Sequence, residues 1–154
     1  MSRKRIVCGW ILAALSAAIV IFIFYNSLQT ASVSGAASGG LLERVNSFFA
    51  RLGLPGISEK LLRKTAHLCE FGLLGILTSA AASALTVRRC GSAFSFAFCV
   101  AVAVTDEIIQ YFVPGRACLV TDMMIDSAGA ALGTLFTIAV LYIARRAHDR
   151  QSGA

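Results

Sequence analysis

His67 and Glu70, Asp106 and Glu107, and Asp122 and Asp126 form three pairs of ionisable residues, each inside or at the rim of a segment otherwise apolar enough to cross a bilayer. Their five carboxylates are most of the eight acidic residues in the chain. A charge at membrane depth costs roughly 2.5–3.5 kcal/mol or more and rarely faces lipid. Three segments that each carry such a group point to one shared polar site. Carboxylates and an imidazole from facing helices can bind a metal in a bundle core. Two close carboxylates can drive one pKa upward and supply an acid and a base. Arg63, Lys64 and Arg116 beside an acidic cleft can instead recognise a phosphate-bearing or zwitterionic head group.

Spacing sorts these residues onto helix faces. Lys60, Arg63 or Lys64, His67 and Glu70 step by three or four residues, which lines them along one stripe. Asp106, Glu107 and Gln110 occupy a second stripe. Asp122 and Asp126, one turn apart, continue through Gly129 and Gly133 on a third, where small residues let a neighbouring backbone approach closely. Arg116 falls in the tight turn between the last two. The alternative is that the charges pair among themselves to brace the bundle, but a brace rarely needs so many ionisable groups. No spacing is as specific as His-Glu-x-x-His, so no metal is assigned from sequence, and no cofactor either.

The elements that must position this cluster are apolar helices. The chain has 154 residues, 57% hydrophobic and 14% charged, with a mean hydropathy of +0.76; a soluble domain carries about 25% charged residues. The expected fold is all-α: one membrane domain over 1–154 with four transmembrane helices and an amphipathic helix in the first outer loop. Spans are expected at about 6–25, 65–87, 93–112 and 121–143. Ile6–Tyr25 is longer than a signal-peptide core of about 7–15 residues, which favours an uncleaved first helix. Residues 27–40, rich in Ser, Ala and Gly, read as a loop. Residues 41–54 place Leu41, Leu42, Val45, Phe48, Phe49 and Leu52 at helical spacing, as in an interfacial helix. Ser58 is the expected N-cap of the next helix, and residues 88–92 read as a turn.

The net charge of +6 does not indicate nucleic acid, because the basic residues flank apolar segments instead of forming a basic face with interleaved aromatics. The lipid bilayer is the expected partner. Arg3–Arg5, Arg88–Arg89 and the tail from Arg145 to Arg150 fall on one side; the positive-inside bias makes that side cytoplasmic. Both termini are then cytoplasmic, and the polar cluster lies near the outer ends of its helices. The five cysteines contain no Cys-x-x-Cys pair and suggest neither a disulfide framework nor a thiolate site.

Lys64-x-x-His67-x-x-Glu70-Phe71-Gly72-Leu73-Leu74-Gly75, Thr105-Asp106-Glu107-x-x-Gln110-x-Phe112-Val113-Pro114-Gly115-Arg116 and Asp122-x-x-x-Asp126-x-x-Gly129-x-x-x-Gly133 together resemble the VanZ-like family. The resemblance covers roughly residues 22–136. It implies a small multi-spanning membrane protein of the cell envelope; the family is named for a member that raises resistance to teicoplanin, and the name supplies no mechanism. The motif residues it implies are His67, Glu70, Asp106, Glu107, Gln110, Arg116, Asp122 and Asp126. Phe71 stands where Tyr is common, and Cys118-Leu119 replaces a small polar pair.

The leading expectation is an outward polar pocket that binds a lipid, a lipid-linked wall precursor or a glycopeptide-type molecule and contributes to glycopeptide resistance. The rival is a membrane-embedded hydrolase or transferase acting on a lipid head group, with Glu107 or Asp106 as base, His67 as acid or ligand and Arg116 as anion clamp. It lacks an evident nucleophile, since Ser27 falls in the expected loop. A proton-coupled transporter is a third reading, weakened by the absence of an inverted repeat.

Overall fold

The computed structural model describes residues 2–85 and 91–152. Among them are five helices and no strand: α1 (Arg3–Ser27), α2 (Ala31–Arg51), α3 (Glu59–Leu85), α4 (Gly91–Tyr111) and α5 (Val120–Ser152). All but α2 are long and apolar enough to span a membrane. At 1.5 Å per residue, even the 21 residues of α4 reach about 31 Å, the thickness of a hydrocarbon core.

The distribution of side chains is that of a protein dissolved in lipid. Trp10 and Phe94 are 65% and 78% exposed, whereas Asp106 and Asp126 are 0% exposed. In water this arrangement would leave the apolar surface exposed and the charges desolvated, both unfavourable. In a bilayer the apolar exterior meets acyl chains and the polar groups turn inward.

Each spanning helix buries a narrow stripe. Along α4 it runs through Ser95, Cys99, Val102, Ala103, Asp106, Glu107 and Gln110, small residues first and strongly polar ones at the end. On α5, Asp126, Ala130, Thr134 and Thr137 lie on the buried side. Phe71 and Leu74 of α3 fill the centre with Ile23 of α1 and Cys99 of α4. The buried hydroxyls find acceptors: Ser79 donates to Thr134 Oγ1 at 3.2 Å, and Ser95 donates to the Thr78 carbonyl at 3.2 Å.

The most extensive interface joins α3 to α5. A Cβ on Gly129 would strike the Leu68 carbonyl, and one on Gly133 would strike the Gly72 carbonyl. Both helices therefore touch backbone to backbone, as the small-residue face of α5 indicated.

Three boundaries differ from the sequence reading. Residues 31–40 are helical, so the segment expected as a loop is the first half of α2. This half has no apolar periodicity of its own; contacts with other segments hold it. Ala31 N–H donates to the Pro114 carbonyl at 3.5 Å, and Ser38 Oγ donates to Glu59 Oε1 at 2.7 Å. Farther along, Asn46 accepts from Ile57 N–H and donates to the Ile57 carbonyl, at 2.8 and 3.2 Å. Helix α2 ends at Arg51, and the chain turns away at Gly53, whose φ of 71° lies in the left-handed region that glycine favours.

Helix α3 begins at Glu59, directly after the expected N-cap Ser58, whose hydroxyl accepts from Leu61 N–H at 3.3 Å. Helix α5 continues through the basic tail to Ser152. Residues 86–90, including the expected turn at Arg88–Arg89, lie outside the described residues, while Gly91 and Ser92 already belong to α4. Four of the cysteines are free thiols; Cys90 and the side chain of His148 also lie outside the description.

Candidate functional site

Asp106 faces inward from the last turns of α4. Both its oxygens are engaged: Ser27 Oγ donates to Oδ1, and Gln110 Nε2 donates to Oδ2 at 2.8 Å. Gln110 Nε2 also approaches Ser27 Oγ at 3.3 Å. Ser27 is the last residue of α1 and is buried. It was missed as a site residue because the loop reading put it in a mobile segment. Its position at the end of an apolar run, level with the Asp106 end of α4, was the available signal. Its hydroxyl donates to Asp106 and so helps hold that carboxylate in place.

His67 reaches toward α5, where its Nδ1 lies 3.5 Å from Asp126 Oδ1. That is an ion-pair distance without hydrogen-bond geometry, and neither atom has a hydrogen-bond partner among the described residues. Asp126 Oδ2 is likewise buried and unpartnered. One ligand-type atom from each of His67, Asp106 and Asp126 falls within 4.8 Å of the others. Three residues on three helices thus converge, two fully buried and one partly buried.

The remaining predicted residues surround this centre in distinct ways. Asp122 sits one turn before Asp126 and pairs with Lys64 Nζ at 3.6 Å, both partly exposed. Glu107 turns toward the connection after α4, where its Oε2 accepts from Leu119 N–H at 2.8 Å and fixes the start of α5. Arg116 donates through Nε to the Gln29 carbonyl at 3.0 Å and through Nη2 to the Asn26 carbonyl at 3.1 Å. It therefore ties the α4–α5 connection to the C-terminal end of α1, where a cation is favoured. Burial, and then the nearby Arg63, lowers its pKa from the ordinary arginine value.

Two cavities open onto the cluster. The first, about 340 Å³, includes Lys60, Arg63, Lys64, His67, Arg116 and Asp126 in its lining. The second, about 480 Å³, is lined by Phe22, Tyr25, Val33 and Leu41 together with Glu70, and shares Arg63, His67 and Arg116 with the first. Glu70 thus lines the second cavity, together with His67 and Ser27. Glu107 lines neither.

These features define an integral membrane helical bundle with a carboxylate–imidazole cluster beneath a basic cavity. The VanZ/LLP1 family model matches residues 12–142, and the chain belongs to that family. No curated protein and no solved structure matches it.

Proposed function

We propose that the protein binds the phosphate-bearing head group of a membrane amphiphile, a lipid or a lipid-linked wall precursor, in the cavity between α2, α3 and the α4–α5 connection. Through that binding it alters susceptibility to glycopeptides. The carrying observation is that Lys60, Arg63, Lys64 and Arg116 line one cavity, while among the described residues Lys60 and Arg63 make no ion pair. An anion between Arg63 and Arg116 relieves their mutual repulsion, and guanidinium groups match phosphate oxygens in fork geometry. The adjoining cavity, with its Phe22, Tyr25, Val33 and Leu41 walls, suits the first segment of an acyl chain. Val33, Leu41, Phe48 and Leu52 of α2 and its C-terminal end are exposed, and we place that face in the membrane interface.

The embedded-enzyme reading draws less support. Glu107 binds the Leu119 N–H through one oxygen and lines neither cavity, and Asp106 already accepts from Ser27 and Gln110.

Lipid identification by mass spectrometry on protein purified in mild detergent tests the proposal. The expected result is about one phosphate-bearing amphiphile per chain, lost in the double variant Arg63→Gln, Lys64→Gln while the helical fold persists, together with the change in glycopeptide susceptibility. Lipid content equal in the variant and the wild type contradicts it. Both termini are assigned to the cytoplasm and the cavity to the outer face. A single cysteine introduced within residues 34–39 should then react with an impermeant thiol reagent in intact cells, and one introduced at 88 or 89 should be protected. The reverse pattern, or reaction at both places, contradicts that sidedness.

A further inference from the structure

The geometry points to a divalent transition-metal site, of the zinc or manganese class, formed by His67, Asp106 and Asp126. Sequence spacing assigned no metal, because these ligands come one each from α3, α4 and α5 and make no local motif. Side chains projecting inward from facing helices are how bundles build metal centres. The three ligand-type atoms lie within 4.8 Å of one another. The His67 Nδ1 to Asp126 Oδ1 separation of 3.5 Å is close to the edge of about 3.3 Å that bonds of about 2.0 Å give in a tetrahedron.

A second observation separates this cluster from an ordinary group of acids. Asp126 is 0% exposed, yet neither of its oxygens accepts a hydrogen bond, and His67 Nδ1 is unpartnered beside it. Buried charges are normally paired or coordinate metals; here the facing group is one imidazole at ion-pair distance, and none of these three atoms makes a hydrogen bond. Asp106 completes the set differently. Ser27 and Gln110 hold its two oxygens, and each oxygen keeps a second lone pair. Such outer hydrogen bonds orient a ligating carboxylate. One imidazole with two carboxylates suits zinc or manganese better than the all-oxygen sites of calcium or magnesium. His67 and Asp126 also line the basic cavity, which leaves a coordination position open on that side.

The site stands on its ligand geometry and does not rest on head-group binding, so it is tested without added lipid. Detergent-purified full-length protein is stripped with a chelator, titrated separately with zinc and manganese chloride, desalted and measured for bound metal and melting temperature. Wild type should retain about one equivalent of one of these ions and melt higher with it. His67→Gln and Asp126→Asn should each lose affinity by more than about tenfold, the lower bound seen for outer partners of metal ligands. Glu43→Gln, on α2 and outside both cavities, should bind as wild type does. Retention far below one equivalent, or unchanged affinity in both ligand variants, overturns the proposal. Should either variant fail to fold, the wild-type melting shift decides, and no shift with either ion overturns it.

Discussion

Gly133→Leu should abolish folded protein, and Gly133→Ala should already lower the melting temperature. A Cβ at this position meets the carbonyl and neighbouring backbone of Gly72 and Ile76. Backbone cannot rotate aside as a side chain can, so α3 and α5 must separate along the most extensive interface in the bundle. Overpacking a tight contact usually costs about 1–3 kcal/mol, and a backbone obstacle puts Leu at or beyond the top of that range. In a bilayer, close van der Waals packing is a main source of helix association, so separation has little to replace it. Gly40→Ala is the matched control. It lies in α2 with nothing within 4 Å of an added Cβ, and helix propensity alone should make it neutral or slightly stabilising. Monodisperse yield and melting temperature check both, and a Gly133→Leu protein that melts with wild type contradicts the close-contact geometry.

Asp106→Ala should be the most damaging change among the ionisable residues. It removes the acceptor of Ser27 Oγ and of Gln110 Nε2 at once, both inside the bundle. Each buried group left unsatisfied costs about 1–3 kcal/mol, so the loss should reach about 2–6 kcal/mol. Asp106→Asn should recover most of it, since the remaining oxygen still accepts from Ser27 and the Gln110 amide can reverse to offer its oxygen. Thermal unfolding of the two variants in the same detergent measures the difference; equal destabilisation would show that charge, and not hydrogen bonding, is what Asp106 supplies to the fold.

The bundle was legible because membrane helices announce themselves by length and apolarity, and because Gly129 and Gly133 recur at the spacing of a contact face. The buried end of α4 was legible for the same reason: Asp106 and Gln110 share its inward stripe. The first half of α2 was not. Its Ala, Gly and Ser residues carry no apolar period, and its helix depends on Pro114 and Glu59 from distant segments, which matches the general dependence of helices on tertiary support. The roles of Glu107 and Arg116 were hidden too. Both act on backbone groups, Leu119 N–H and the Asn26 and Gln29 carbonyls, and side-chain spacing carries no record of where a reversing chain brings such groups. The pairing of His67 with Asp126, in preference to Asp106 or Glu107, likewise depends on the depth at which α3 and α5 cross.

The most direct test of whether the buried cluster is a binding site or a brace is the melting temperature of Asp126→Asn against wild type, both freed of metal by chelator. Asp126 is buried with no hydrogen bond to either oxygen, so a side chain kept for a ligand and not for the fold is better off neutral in the stripped protein. The expected result is a variant that melts at or above wild type. A brace gives the opposite, because removing one partner of a buried ion pair costs about 3–5 kcal/mol; a loss of that size in Asp126→Asn would contradict the binding-site assignment.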